Sequence, residues 1–276
     1  MSDGAPIPTL LYGTAWKEER TEALTALALQ SGFRGIDSAN QRKHYFEAAV
    51  GTAVQAAIGA GRVTRSALFL QTKFTSQGGQ DKRLPYDPKA PIATQVAQSL
   101  QSSLEHFGTS YVDSLVLHGP STRGPLSKAD VEAWRAIEAQ LEAGRTRFVG
   151  VSNFTRAQLN ELLGMAQVAP RFLQNRCYAR TGWDREVREL CAARGVVYQG
   201  FSLLTANRAE LGQPAVRRLC ERLQCDSAEL VFRLARSLGM LPLTGTSSEA
   251  HMRLDLSAVE RPLEPSDVRW LESAFG

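Results

Sequence analysis

The sequence is poor in cysteine, histidine and lysine, and it has no long apolar run. No stretch approaches the roughly 18 consecutive apolar residues of a membrane helix, which excludes an integral helical membrane protein. The N-terminal MSDGAPIPTLLYGT has no basic segment followed by an apolar one, so no secretory leader is expected. The four cysteines, Cys177, Cys191, Cys220 and Cys225, form no C-x-x-C pair. With only four histidines beside them, no metal site and no disulfide framework are expected. Reduced thiols in a cytoplasmic protein are the simple expectation. A net charge of +4 is spread along the chain without a basic stripe, so no nucleic-acid partner is expected. A mildly basic chain suits an anionic cofactor better. Only six of the 32 basic residues are lysine: Lys17, Lys43, Lys73, Lys82, Lys89 and Lys128. A lysine inside an apolar strand therefore asks for an explanation.

What the sequence does have is regular alternation. At 43% hydrophobic and 22% charged residues it has enough apolar material for a packed core. Short apolar runs at 9–12, 34–37, 67–73, 112–118, 146–152, 171–175, 195–199 and 240–244 mostly lack two-residue alternation, as in strands covered on both faces. Between two of them Ile92, Val96, Leu100, Leu104 and Phe107 recur at helical spacing. Val131, Trp134, Ile137 and Leu141 repeat that stripe, as do Leu159, Leu162, Leu163 and Ala166. Thr155 reads as an N-cap and Gly144 as a helix stop. Eight strand–helix repeats predict an α/β fold, a (β/α)8 TIM barrel in a single domain over 1–276. A doubly wound sheet uses the same elements, but no strand is followed by G-x-G-x-x-G. The stretch 76–91 reads as a substrate-side loop.

In such a barrel the C-terminal strand ends form the functional face. Those ends read Gly13-Thr14, Asp37, Lys73, His118, Ser152-Asn153, Asn175, Gln199-Gly200 and Gly245-Thr246, with polar groups at the same edge in strand after strand. Asp37 and Lys73 each follow a buried-type strand, where an unpaired charge costs several kcal/mol, so the two are expected to pair. Taken singly, the pair can be a salt bridge closing the barrel, His118 a core histidine and Tyr45 a packing aromatic. Taken together in this chain order, the four are a candidate catalytic set.

The stretches GFRGIDSANQRKHYFEAAVG, LFLQTKF, YVDSLVLHGP, RFVGVSNF, FLQNRCY and LPLTGTSSEAHMRLDL resemble the aldo-keto reductases, in that family's order and over nearly the whole chain. The resemblance implies an NAD(P)H-dependent oxidoreductase that reduces an aldehyde or ketone, a small-molecule carbonyl partner, to an alcohol. In that scheme Tyr45 gives the proton and Lys73 makes its phenol, ordinarily of pKa about 10, more acidic. Asp37 holds Lys73, and His118 hydrogen-bonds the carbonyl oxygen. Ser152, Asn153 and Asn175 are implied at the nicotinamide carboxamide. Gln199, Gly200, Phe201 and Ser202 are implied at the nicotinamide face and pyrophosphate. Gly245, Thr246, Ser247 and Arg253 are implied at the adenosine phosphate, with Gly13, Thr14 and Asp37 completing the cofactor site. Trp16, Tyr45 and His118 would wall the substrate. NADPH is the implied cofactor, and NADH stays open.

The family pattern is broken at several places. Tyr45 lies eight rather than five residues beyond Asp37, so the neighbouring His44 is a second residue that could face the substrate. Ala15 lengthens the Gly13-Thr14 turn before Trp16, and Gln174-Asn175 inverts the usual order. Gln199 falls near the place of the stacking aromatic, leaving Tyr198 or Phe201 for that role. The two usual phosphate cations fall on Gly245 and His251, which leaves Arg253. Two other functions remain open. One is a lyase with Lys73 as Schiff base, which pairing with Asp37 disfavours. The other is a non-catalytic NADPH-binding barrel acting as a sensor or interaction protein.

Overall fold

The computed structural model describes residues 6–275. Residues 1–5, where the leader reading and the 1–276 domain begin, and residue 276 lie outside the described residues. Strands β1 (Leu11–Gly13), β2 (Gly35–Asp37), β3 (Phe69–Phe74), β4 (Val112–Leu117), β5 (Thr146–Ser152), β6 (Phe172–Arg176), β7 (Val197–Phe201) and β8 (Leu241–Thr244) form one parallel sheet in chain order. The sheet closes where Leu11 pairs with Leu243 and Tyr12 with Thr244. That closure rules out the doubly wound alternative.

Helices α1 (Thr21–Ser31), α2 (Glu47–Gly59), α3 (Ile92–Phe107), α4 (Lys128–Glu142), α5 (Arg156–Met165) and α6 (Arg185–Ala193) follow the first six strands in turn. Between β7 and β8 lie α7 (Arg208–Leu211), α8 (Pro214–Leu223) and α9 (Ser227–Ser237), and α10 (Glu249–Ala258) and α11 (Pro265–Ser273) complete the chain. The apolar stripe of α3 is buried at Val96, Leu100, Leu104 and Phe107. Thr155 caps α5 in a reciprocal box with Gln158, and Ser127 does the same for α4 with Asp130. Gly144, at φ +70°, ends the turn after α4 as expected. Among the described residues no helix is long and apolar enough to cross a membrane.

A small apolar cluster of Leu11, Phe69, Phe172, Leu241 and Leu243 fills the barrel toward the strands' N-terminal ends. Phe172 meets Phe69 and Phe148 edge to face, with centroids 5.7 and 5.8 Å apart. This is the floor on which the polar strand ends stand.

One strand departs from expectation in a way that matters for the site. The run expected at 195–199 is a strand from Val197 to Phe201. Gly195 takes φ +68°, and its N–H closes the turn after α6 on Ala192 O, so the chain enters the sheet two residues late. Gln199 is thus mid-strand, opposite Gln174 and Leu241, and the strand ends at Phe201.

Candidate active site

β2 ends on Asp37, and β3 carries Lys73 one residue before its end. Lys73 Nζ donates to Asp37 Oδ1 at 2.7 Å and to Ser38 O at 2.8 Å. Both side chains are buried, so each charge is tolerable only because the other offsets its lost hydration. Thr14 fixes this strand end from behind: its N–H and its hydroxyl both donate to Asp37 O, at 3.0 and 2.9 Å.

Beneath the pair lies a layer of buried amides. Gln71 Nε2 donates to Asp37 Oδ1 at 2.7 Å and to Gln199 Oε1 at 2.8 Å. Gln174 Nε2 donates to the same two atoms at 3.0 Å each, and Gln199 Nε2 donates back to Gln71 Oε1 at 3.0 Å. Strand register explains the meeting, since Asp37 stands opposite Gln71 and Gln174 opposite Gln199. A buried amide is costly unless bonded, and here each of the three donates. Asp37 Oδ1 thus receives three donors.

Above this layer opens a cavity of about 530 Å³. Of the residues expected at the site, Gly13, Trp16, Asp37, Tyr45, His118, Ser152, Asn153, Phe201, Ser202, Gly245 and Thr246 line it, and so does the alternative, His44. The Tyr45 ring meets His118 edge-on at 5.8 Å between centroids, and Lys73 Nζ lies 5.2 Å from the Tyr45 centroid. The Tyr45 hydroxyl has no hydrogen-bond partner among the described residues. Trp16 is 68% exposed at the rim and its ring lies against the His44 ring at 4.0 Å, while its backbone N–H donates to His44 O at 2.8 Å.

The electrostatics correct one expectation. Burial and then the charge of Asp37 push the Tyr45 phenol above its ordinary range, rather than the ammonium pulling it down. The Lys73 ammonium itself is turned to Asp37 and Ser38 O. Burial also lowers Lys73, against the opposing charge and hydrogen bond of Asp37. His118 is pushed down to about 3 by burial, with Lys73 and His44 adding to it, so the ring is neutral near pH 7. Its Nδ1 lies 2.6 Å from Thr75 Oγ1.

Several expected cofactor contacts lie elsewhere. Gln199 belongs to the amide layer and Gly200 follows it mid-strand, because β7 starts late. Asn175 faces away from the barrel interior, donating to Phe154 O at 2.8 Å, and its neighbour Gln174 lines the cavity instead. Thr14 stands behind the wall. Ser247 lies outside the cavity lining, as does Arg253, whose Nη2 is tied to Glu249 at 2.7 Å.

The structure adds residues the sequence reading missed. Lys17 lines the cavity and donates from Nζ to Gly245 O, while burial and then Arg20 lower its pKa. It directly follows Trp16 in a lysine-poor chain, a signal that could have found it. Gln71 inside an apolar strand was a similar signal. Leu203, Leu204 and Thr205 close the cavity from beyond β7, and nothing in their pattern marked them.

Comparison with known proteins agrees with this fold. A rabbit (Oryctolagus cuniculus) prostaglandin-E(2) 9-reductase is 27% identical over 99% of this chain and 90% of that protein. An NAD/NADP-dependent indole-3-acetaldehyde reductase of Schizosaccharomyces pombe is 27% identical over 97% of this chain and 91% of its own length. The solved aldo-keto reductase of the silkworm Bombyx mori in complex with NADPH superposes with a TM-score of 0.83 at 25% identity, covering 100% of this chain and 86% of that one. The model of the aldo/keto reductase family matches residues 9–275. With the closed barrel and its one polar rim already in place, a match of that extent makes the chain a member of the aldo/keto reductase family.

Proposed function

We propose that this aldo/keto reductase is a cytoplasmic enzyme that reduces a small aldehyde or ketone with NADPH, and that Tyr45 delivers the proton. The observation that carries the reading is the Tyr45 hydroxyl, without a partner among the described residues, in the cavity that also holds His118 and borders the Lys73–Asp37 pair.

The cavity fits a reduced dinucleotide. Its inner end offers amide and hydroxyl groups from Ser152, Asn153 and Gln174, and its walls are apolar at Phe201, Leu203, Leu204 and Leu243. At its other end Lys17 stands beside Gly245 O, just before the N-terminus of α10, a place where partial positive charge gathers. The residues that would hold the cofactor are therefore Gly13, Lys17, Ser152, Asn153, Gln174, Phe201, Ser202, Gly245 and Thr246. Arg253 would reach a 2′-phosphate only by leaving Glu249. An exposed helical pair of that kind contributes about 0.3–0.5 kcal/mol, so NADPH is favoured and NADH still accepted.

When bound, reduced nicotinamide supplies a hydride to the carbonyl carbon. The residues of this chain handle the oxygen. His118, neutral, donates a hydrogen bond that orients the carbonyl and supports the charge growing on it. Tyr45 stays protonated in the free enzyme because burial and Asp37 raise its pKa. An alkoxide is a far stronger base than a phenolate, so the proton moves from Tyr45 once negative charge develops. The phenolate left behind lies near the Lys73 ammonium. Because Lys73 Nζ is committed to Asp37 and Ser38 O, it has no free lone pair for Schiff-base chemistry.

Tyr45→Phe is expected to lower kcat for aldehyde reduction at least about a hundredfold, with NADPH binding, read by fluorescence quenching, unchanged. Full turnover in Tyr45→Phe, with loss in His44→Ala, would move the acid to His44. Tight NADPH binding with no oxidation across a broad aldehyde panel would instead point to the sensor.

A further inference from the structure

We infer that Thr75 is a positioning residue: its hydroxyl donates to His118 Nδ1 and holds the ring as the Nε2–H tautomer, donor edge toward the cavity. The inference builds on the proposed role of His118, but its first consequence is a property of the free protein.

The argument is one of satisfying buried groups. A neutral imidazole has one donor and one acceptor nitrogen, and the bond made by one side sets the other. Thr75 Oγ1 and His118 Nδ1 are 2.6 Å apart, so one of them donates. Thr75 is 5% exposed, and its hydroxyl has no other partner among the described residues. Were Nδ1 the donor, the threonine hydrogen would be left buried without an acceptor, which is the costlier arrangement. With threonine as donor both atoms of the contact are satisfied, and the remaining ring proton sits on Nε2, at the cavity. That atom has no partner among the described residues, and the ring lines the cavity.

Both ends of the contact are held. His118 N–H donates to Phe74 O at 2.9 Å, and His118 O accepts from Asn153 Nδ2 at 2.8 Å. Thr75 O accepts from the Tyr86 hydroxyl at 2.8 Å and from Gln80 Nε2 at 3.4 Å, both from the segment after β3. A Cβ placed on Gly79 would lie 2.7 Å from Thr75 Cγ2, so the threonine methyl occupies space that only glycine leaves. A β-branched side chain has few rotamers, and seating its methyl there aims the hydroxyl at His118. In the other tautomer the ring would present a lone pair to the carbonyl oxygen and repel it.

The test is long-range 1H–15N correlation on the uniformly 15N-labelled full chain at neutral pH. The chain has four histidines, and the His118 signals are to be assigned by their loss in His118→Gln. The wild type is expected to show Nε2 protonated and Nδ1 bare. Thr75→Val keeps the shape without the hydroxyl: both tautomers should appear, and kcat should fall about tenfold with cofactor Kd unchanged. Thr75→Ser should restore both readings. Gly79→Ala, which displaces the methyl while leaving both hydrogen-bonding residues unsubstituted, should mix the tautomers in the same way and stands in should Thr75→Val not fold. A wild-type ring protonated on Nδ1 overturns the inference, and so does an unaltered tautomer in Thr75→Val or Gly79→Ala. The expected tautomer shift with unchanged kcat upholds the role of Thr75 and overturns that of His118 in the reaction.

Discussion

Two buried aspartates mark the two ends of the barrel, and they are stabilised differently. Asp113, near the start of β4, is fully buried, and both of its oxygens are used. Oδ2 accepts from Arg65 Nη2 at 2.8 Å and from Leu70 N at 2.9 Å, and Oδ1 accepts from Arg147 Nη1 at 2.6 Å. Asp37, at the end of β2, takes Lys73, Gln71 and Gln174 on one oxygen and borders the cavity. Guanidinium stays charged at any ordinary pH, whereas a buried ammonium can shift its titration. Both sites offset the cost of burying a carboxylate. Only the second keeps protons that can respond to a guest.

The largest effect should come from removing each charge in turn. Asp37→Asn is expected to cut kcat about 10²–10³-fold in protein that still binds NADPH, because Lys73 loses its anchor. Asp113→Asn should leave kcat within about twofold and lower unfolding free energy by about 3 kcal/mol, read by urea denaturation. A folded Asp113→Asn protein that had lost turnover would break the distinction. Gln199→Leu comes next. It strands two amide donors, so about 1–3 kcal/mol of stability should go with little change in cofactor affinity. The smallest effect is acid sensitivity. His118 is held near 3, below the ordinary 6.5, so the unfolded chain takes up its proton first as pH falls. Its contribution is intact above pH 6.5 and lost progressively toward 3, about 1–2 kcal/mol by pH 5. His118→Gln should flatten that part of the pH–stability curve.

How far the site was legible follows from these residues. The eight strands could be read because a parallel barrel strand is an apolar run that stops at a polar residue. Asp37, Lys73 and His118 stood out because each ends or nearly ends such a run. Gln199 was misplaced because Gly195 reads equally well as the start of a strand or the last turn of a helix. Gln174 and Asn175 are adjacent and point to opposite faces, and only register says which faces inward. The environment of Tyr45 was not legible at all. Its local string departs from the family's, and the direction of its pKa shift is set by burial and by the nearby Asp37 charge, which only the closed barrel brings to it.

By itself, then, the chain determined the order of strands and helices, the barrel they close into, and the rim on which polar groups collect. Those features rest on periodicity, capping and strand-end residues, all written within a few positions of one another. Only the tertiary structure decided which side chains meet there: the three amides under Asp37, Lys17 beside Gly245, and Thr75 against His118. Such meetings join residues dozens to more than two hundred positions apart, and their geometry depends on strand register around a closed sheet, which no local stretch of sequence specifies.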